Sequence, residues 1–266
     1  MEIVGYIASV FIGISLGLIG GGGSILTVPV LVYLLGIDPV LATAYSLLIV
    51  GSTSLIGAFT KYRQGLINFK TAFIFAIPAV VTVLITRRFL LPLIPTNVFT
   101  IAGYTITKSI LLMVLFAILM VFASISMIHG NGKALIKDGS VQKFNYPKTF
   151  LQGAFVGIIT GLVGAGGGFL IIPALVIFSK LPMQKAIATS LVIITINSIT
   201  GFLGSLSHHI MDWKLLAIVT TLAVGGIFAG NWLSRKFNGD KLKKVFGWFV
   251  LVMGIYIIIK ELFLNS

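Results

Sequence analysis

The chain has 266 residues, of which 58% are hydrophobic and only 9% charged, and its mean hydropathy is +1.11. A soluble domain carries about 25% charged residues, so this composition excludes a water-soluble globular protein and implies one integral, polytopic domain in a lipid bilayer. The net charge of +13 does not mark a nucleic-acid binder, because the basic residues are scattered between apolar segments, where membrane orientation accounts for them. The absence of cysteine excludes disulfides and thiolate chemistry. Met1-Glu2-Ile3 lacks the basic start of a cleaved signal peptide.

Ten apolar segments follow in order, at about Ile3–Ile19, Ser24–Leu35, Val40–Phe59, Phe69–Ile85, Ser109–Ile128, Phe150–Val163, Phe169–Phe178, Ala186–Leu206, Trp213–Leu233 and Val245–Leu264. A spanning helix needs roughly 20 residues. The third, fifth, eighth, ninth and tenth segments reach that, the fourth is marginal, and the second and seventh are too short. Those two short segments follow the glycine runs Gly20-Gly21-Gly22-Gly23-Ser24 and Gly164-Ala165-Gly166-Gly167-Gly168.

The two runs lie 144 residues apart, Gly20 to Gly164, and so do the prolines after them, Pro29 and Pro173. At this offset Gly17-Leu18 matches Gly161-Leu162, Ala42, Ala44, Ser46 and Leu47 match Ala186, Ala188, Ser190 and Leu191, and Ser54 and Gly57 match Ser198 and Gly201. Asn68-Phe69-Lys70 matches Asp212-Trp213-Lys214. The chain therefore reads as two repeats of five segments, residues 1–128 and 149–266, joined by a basic cytoplasmic linker at 129–148. The extra stretch Leu90–Thr107 of the first half is expected along the membrane interface.

If each glycine run is the tip of a hairpin, 14 of the 19 Lys and Arg residues fall on one side of the membrane and 5 on the other. If each run interrupts a single span, the split is 10 against 9. The positive-inside rule prefers the hairpin. That arrangement inverts the second repeat relative to the first, with both termini extracytoplasmic, as in many secondary transporters.

In this arrangement the short helices beginning near Ser24 and Phe169 aim their N-termini at one interior point. Unpaired N–H groups and about half a positive charge at each end make an anion site without a cationic side chain. Glycine lets a ligand approach those N–H groups closely. The alternative, tight helix packing, fits Gly13 and Gly17 better. The third segment of each half is unusually polar, and Ser46 with Ser190, and Asn197 with Ser198, are the candidates to donate to an anion, against an alternative of bonding within the helix. The expected substrate-binding set is Gly21, Gly22, Gly23, Ser24, Ser46, Gly166, Gly167, Gly168, Ser190 and Asn197. All six acids lie at segment ends or in loops, which weighs against a cation pump. His208-His209 read as an interfacial pair, against the alternative of a proton relay, and Arg87-Arg88 as interface anchors, against the alternative of an extracellular anion-attracting role. No metal-ligand, nucleophile or phosphate-loop motif is present, so neither a metal, a cofactor nor an enzyme is expected.

Gly17-Leu18-Ile19-Gly20-Gly21-Gly22-Gly23-Ser24 with Pro29 and Ala42-Thr43-Ala44-Tyr45-Ser46-Leu47, and their second copies, resemble the sulfite exporter TauE/SafE family over nearly the whole chain. The resemblance implies an all-α permease of about eight spans plus re-entrant segments in the plasma membrane of a bacterium or archaeon, moving sulfite, sulfonates or other small sulfur anions. It leaves open a coupling ion, proton or sodium, and a homo-oligomer. Tyr45 departs from the family pattern, which has Thr as at Thr189, and the two halves of the site are expected to be unequal there. An anion or small-solute channel and a non-transporting assembly factor are the competing readings.

Overall fold

The computed structural model describes residues 2–101, 104–129, 146–164, 166–177, 179, 181–206, 211–233 and 239–264. Most of the linker, together with His208 and His209, lies outside them. Ten helical segments follow one another. α1 is Glu2–Ile19. α2 covers residues 20–34 as a 3-10 stretch Gly20–Leu26, one α turn Thr27–Pro29 and a π turn Val30–Leu34. α3 is Pro39–Arg63 and α4 is Phe69–Leu93. α5 is Lys108–His129, α6 Tyr146–Val163, α7 Gly168–Ile177, α8 Met183–Ser205, α9 Trp213–Leu233 and α10 Gly239–Ile259. Five of them, α3, α4, α5, α8 and α9, are long and apolar enough to cross a membrane.

Local chemistry sets these boundaries. Asp38 caps α3 by accepting from the N–H groups of Val40 and Leu41, with Pro39 in the first turn, where a missing N–H costs nothing. α3 stops at Gly65 (φ +67), whose N–H bonds to the Tyr62 carbonyl while that of Leu66 bonds to Lys61, a left-handed glycine terminus. Asn68 caps α4 through the Thr71 N–H, and Asp212 caps α9 through Leu215.

One expectation needs correction. The fourth segment is not marginal, because a π turn Thr86–Leu90 and a further turn Leu91–Leu93 extend it. The stretch expected along the interface supplies that last turn and an antiparallel pair of strands, β1 (Asn97–Ile101) and β2 (Tyr104–Thr107). Their aromatic and β-branched residues favour a hairpin over a helix.

The outward surface is apolar, and the buried core mixes polar residues into apolar clusters. Phe11, Phe59, Ile77, Phe122, Phe155, Leu203 and Phe228 face outward, while Ser9, Ser46, Thr53, Ser54, Ser190, Asn197 and Ser198 are buried. The tertiary contacts also repeat at the 144-residue offset. α1 packs on α9 and its counterpart α6 packs on α4, whereas α3 packs on its own counterpart α8; the last helices of the two halves, α5 and α10, also pack on each other. Gly57 meets Leu191 and Gly201 meets Leu47, so α3 and α8 run antiparallel.

The glycines of α1 serve helix packing, as the sequence suggests. A Cβ at Gly13 would overlap the Ala223 carbonyl, one at Gly17 would lie 2.6 Å from the Ile227 oxygen, and Gly226 and Gly230 meet them from α9. In the counterpart pair, Gly157 meets the Ala79 carbonyl. Gly13→Ala or Gly157→Ala should therefore cost about 1–3 kcal/mol by overpacking, read as a lower thermal midpoint of the purified protein. Gly225→Ala, where a Cβ meets no atom within 4 Å, should not lower the midpoint and should stabilise the helix by up to about 1 kcal/mol.

Candidate substrate site

Gly20 (φ +72) and Gly164 (φ +77) each sit where the chain turns back on itself in a left-handed conformation that side chains resist. The return is visible at the far ends of the hairpins. Leu35 packs over Gly5, and the Thr149 and Ser179 hydroxyls lie 3.5 Å apart at the equivalent place. Both glycine runs thus form hairpin tips. Each tip docks on the opposite half, with a Cβ at Gly20 falling 2.5 Å from Ile187 and one at Gly164 overlapping the Thr43 backbone. Ile187 and Thr43 are themselves repeat counterparts. Between the tips, the 3-10 stretch of α2 packs against α7.

The second run carries two further left-handed residues, Gly166 (φ +67) and Gly167 (φ +70). The Gly167 carbonyl accepts from Leu170 and Ile171, both at 2.9 Å, and so starts α7. The first N–H groups of such a helix lack intrahelical partners and carry its positive dipole end. Around Gly166, a Cβ would lie 2.8 Å from Ser198 Oγ, 2.8 Å from Val50 and 3.0 Å from Ile194. One at Gly167 would overlap Thr160 Oγ1.

Several polar groups in this core make no hydrogen bond. They are both amide atoms of Asn197, the hydroxyls of the counterparts Ser54 and Ser198, and those of Thr27 and Thr160. All five residues are buried. An unsatisfied buried polar group costs about 1–3 kcal/mol, and water is not at hand at membrane depth to relieve it. Ser54, Ser198 and Asn197 lie on α3 and α8 close to their crossing, where Gly51 meets Ser198 and Ile199.

The other candidate residues are placed differently. Ser46 donates to the Gly164 carbonyl at 2.8 Å and thereby ties α3 to the tip. Ser190 donates within its own helix to Ile187, also at 2.8 Å. Gly23 packs against Ser15 and Leu16 of α1. Gly21, Gly22 and Ser24 belong to the 3-10 stretch, and Gly168 begins α7. The structure therefore groups Gly166 and Gly167 with Ser198 and Thr160, with Asn197 next in sequence. Thr27 and Thr160 were not singled out by sequence. Thr160 carries one signal, standing one turn ahead of Gly164, whose N–H bonds to its carbonyl.

Tyr45 and Thr189 prove to do one job. The Tyr45 hydroxyl accepts from the Asp212 N–H at 2.6 Å, and the Thr189 hydroxyl from the Asn68 N–H at 3.0 Å. Each ties α3 or α8 to the cap of a helix from the other half. At this contact the halves are alike despite the different side chains. Tyr45→Phe and Thr189→Val should each cost about 0.5–1.5 kcal/mol, measured as matched decreases in thermal midpoint.

Arg87 requires a further correction. It is not an interfacial anchor, since only 1% of it is exposed. The π turn of α4 directs it against Thr43, where Nη1 donates to the hydroxyl at 2.9 Å and Nη2 reaches the carbonyl at 3.5 Å. Arg88 faces outward, as an anchor should.

This is a multi-pass helical membrane protein with a sealed polar centre. A profile of the family described as Sulfite exporter TauE/SafE matches residues 6–257. A probable membrane transporter protein of Xylella fastidiosa (strain 9a5c) is 30% identical over 254 residues, covering 93% of this chain and 91% of the relative. The probable membrane transporter protein YunE of Bacillus subtilis is 26% identical over 261 residues, covering 92% and 93%. One from Methanocaldococcus jannaschii is 31% identical over 116 residues, covering 41% and 43%. No solved structure matches. The chain belongs to the TauE/SafE sulfite exporter family: it is a membrane transporter and not an enzyme.

Proposed function

We propose that the protein is a secondary transporter that carries a small sulfur oxyanion, such as sulfite or an organosulfonate, across the plasma membrane by alternating access. The observation that carries this reading is the set of buried, unpartnered polar groups at the second glycine turn and the nearby helix crossing: Ser198 beside Gly166, Thr160 beside Gly167, and Asn197 and Ser54 on α8 and α3. An oxyanion offers several acceptors, and the adjoining helix start supplies N–H groups and a favourable dipole. Asn197, with Gly166, Gly167 and Gly168, is the core of the assigned site. Gly21, Gly22, Gly23 and Ser24 of the first hairpin, with Ser46 on α3 and Ser190 on α8, form its frame.

The antiparallel run of α3 and α8, and the exchange of equivalent contacts between halves, support two inverted repeats. About eight spans then come from α1, α3, α4 and α5 with their counterparts, and the short α2 and α7 are the returning segments. The Tyr33 hydroxyl bonds to Glu261 beyond α10, close to where Leu35 covers Gly5. The start of α1 and the end of α10 therefore share one end of the bundle, which the basic-residue count assigns to the extracytoplasmic face. Since the donors are sealed, access from either side requires one repeat to rock against the other.

Uptake of radiolabelled sulfite into liposomes containing the purified protein tests the reading, with taurine, sulfoacetate, thiosulfate and sulfate as competitors. Saturable uptake, inhibited by at least one sulfur anion, is expected. Flat uptake by folded protein would remove the anion-carrier reading, and a rate that never saturates would favour a channel.

A further inference from the structure

A guanidinium inside a membrane protein needs a counter-charge, because desolvating it is costly unless an anion and further hydrogen bonds replace water. Arg87 has no such partner among the described residues. Its contacts are the neutral hydroxyl and carbonyl of Thr43, its Nε has no hydrogen-bond partner, and no described carboxylate pairs with it. Asp38 is already engaged by Val40, Leu41 and Ser109. Lys108, whose ammonium bonds to the Leu91 carbonyl, is close enough to repel Arg87.

The scaffold does not need this charge. The repeat counterpart of Arg87 is Asn231, in the same relation to the opposing α1 as Arg87 has to α6, since Gly17 meets Gly230 and Asn231 while Gly161 meets Thr86. The second half thus builds the same helix contact around a neutral side chain. The cation is an addition to the first half alone, and Thr43, which holds it, is the residue on which the Gly164 tip docks.

We infer that Arg87 is a direct contact for the transported oxyanion, supplying a full positive charge beside the partial charges of the glycine turn. Its Nε edge presents a fork that matches two oxygens of a sulfite or sulfonate group, and Thr43 holds that fork next to the hairpin tip. This assignment rests on the anion-carrier reading and amends the expectation that backbone donors suffice.

The test is sulfite transport and sulfite-dependent thermal stability of Arg87→Asn, which copies the residue of the second half, and of Arg87→Met, which is apolar and of similar length. Both variants should raise the KM for sulfite about ten- to a hundredfold, as expected for losing a charged hydrogen bond. Both should lose the rise in thermal midpoint that sulfite gives the wild type, and Arg87→Met without ligand should melt above the unliganded wild type. A merely structural arginine predicts the opposite sign for that last shift. A KM within twofold of wild type, with the sulfite stabilisation retained, would overturn the inference, as would a lower ligand-free midpoint for Arg87→Met. Absence of sulfite transport and stabilisation in the wild type would instead sink the carrier reading itself.

Discussion

Gly166→Ala is expected to abolish transport while leaving a folded, membrane-inserted protein, and Gly164→Ala, two residues earlier, is expected to prevent folding. Both positions are left-handed, at φ +67 and +77, and an alanine there costs roughly 1–3 kcal/mol in strain. What the new methyl group meets differs. At Gly164 it overlaps the carbonyl, Cα and Cβ of Thr43, and a helix backbone held by its own hydrogen bonds cannot move aside. At Gly166 it meets Ser198 Oγ, a Val50 methyl and an Ile194 methyl at 2.8–3.0 Å, all side-chain atoms able to rotate by a few tenths of an ångström. The methyl then occupies the space between the turn and the unpartnered donors, which an oxyanion would need. Yield after size-exclusion chromatography and sulfite uptake by the recovered protein separate the two effects. Normal uptake by Gly166→Ala would take the glycine turn out of the site.

The helical membrane fold is legible in the sequence, and the 144-residue offset carries more than hydrophobic similarity. It relates Gly20 to Gly164 and Thr43 to Ile187, so Gly20 on Ile187 and Gly164 on Thr43 are one contact made twice. The same holds for Gly57 on Leu191 and Gly201 on Leu47. Contacts duplicated in this way must persist in sequence on both sides, which is why the match runs through glycines, prolines and caps. Features that lack a counterpart were not legible. The β1–β2 hairpin belongs to the first half only. Arg87 looks like an anchor beside Arg88 because burial depends on the π turn, and a π turn leaves no signature in side-chain periodicity. Ser46 and Ser190 are repeat-related and share a polar segment, yet one bonds across to Gly164 and the other to its own helix. A hydroxyl has a ready local acceptor three or four residues back, so composition cannot tell which it uses.

Asn197→Leu should raise the stability of the ligand-free protein and reduce sulfite transport at least tenfold. Asn197 is buried, and neither its amide nitrogen nor its oxygen finds a partner. Leaving those groups unpaired costs about 1–3 kcal/mol. Leucine removes that penalty and is of similar size, on a helix whose preceding turn supplies Ile193 and Ile194 to a buried apolar cluster. A gain of about 1–2 kcal/mol is therefore expected, while the substrate loses both a donor and the desolvation match that selects it. The two halves of the prediction carry opposite signs, and this separates the substrate role from a structural one. An asparagine retained for helix association would be lost at a cost to stability, with transport falling only as far as folded protein falls. Thermal melts in detergent with and without sulfite, alongside uptake normalised to folded protein, decide between them. A destabilised Asn197→Leu whose normalised uptake equals that of wild type would place Asn197 in the scaffold and leave Ser54, Ser198, Thr160 and Arg87 to meet the anion.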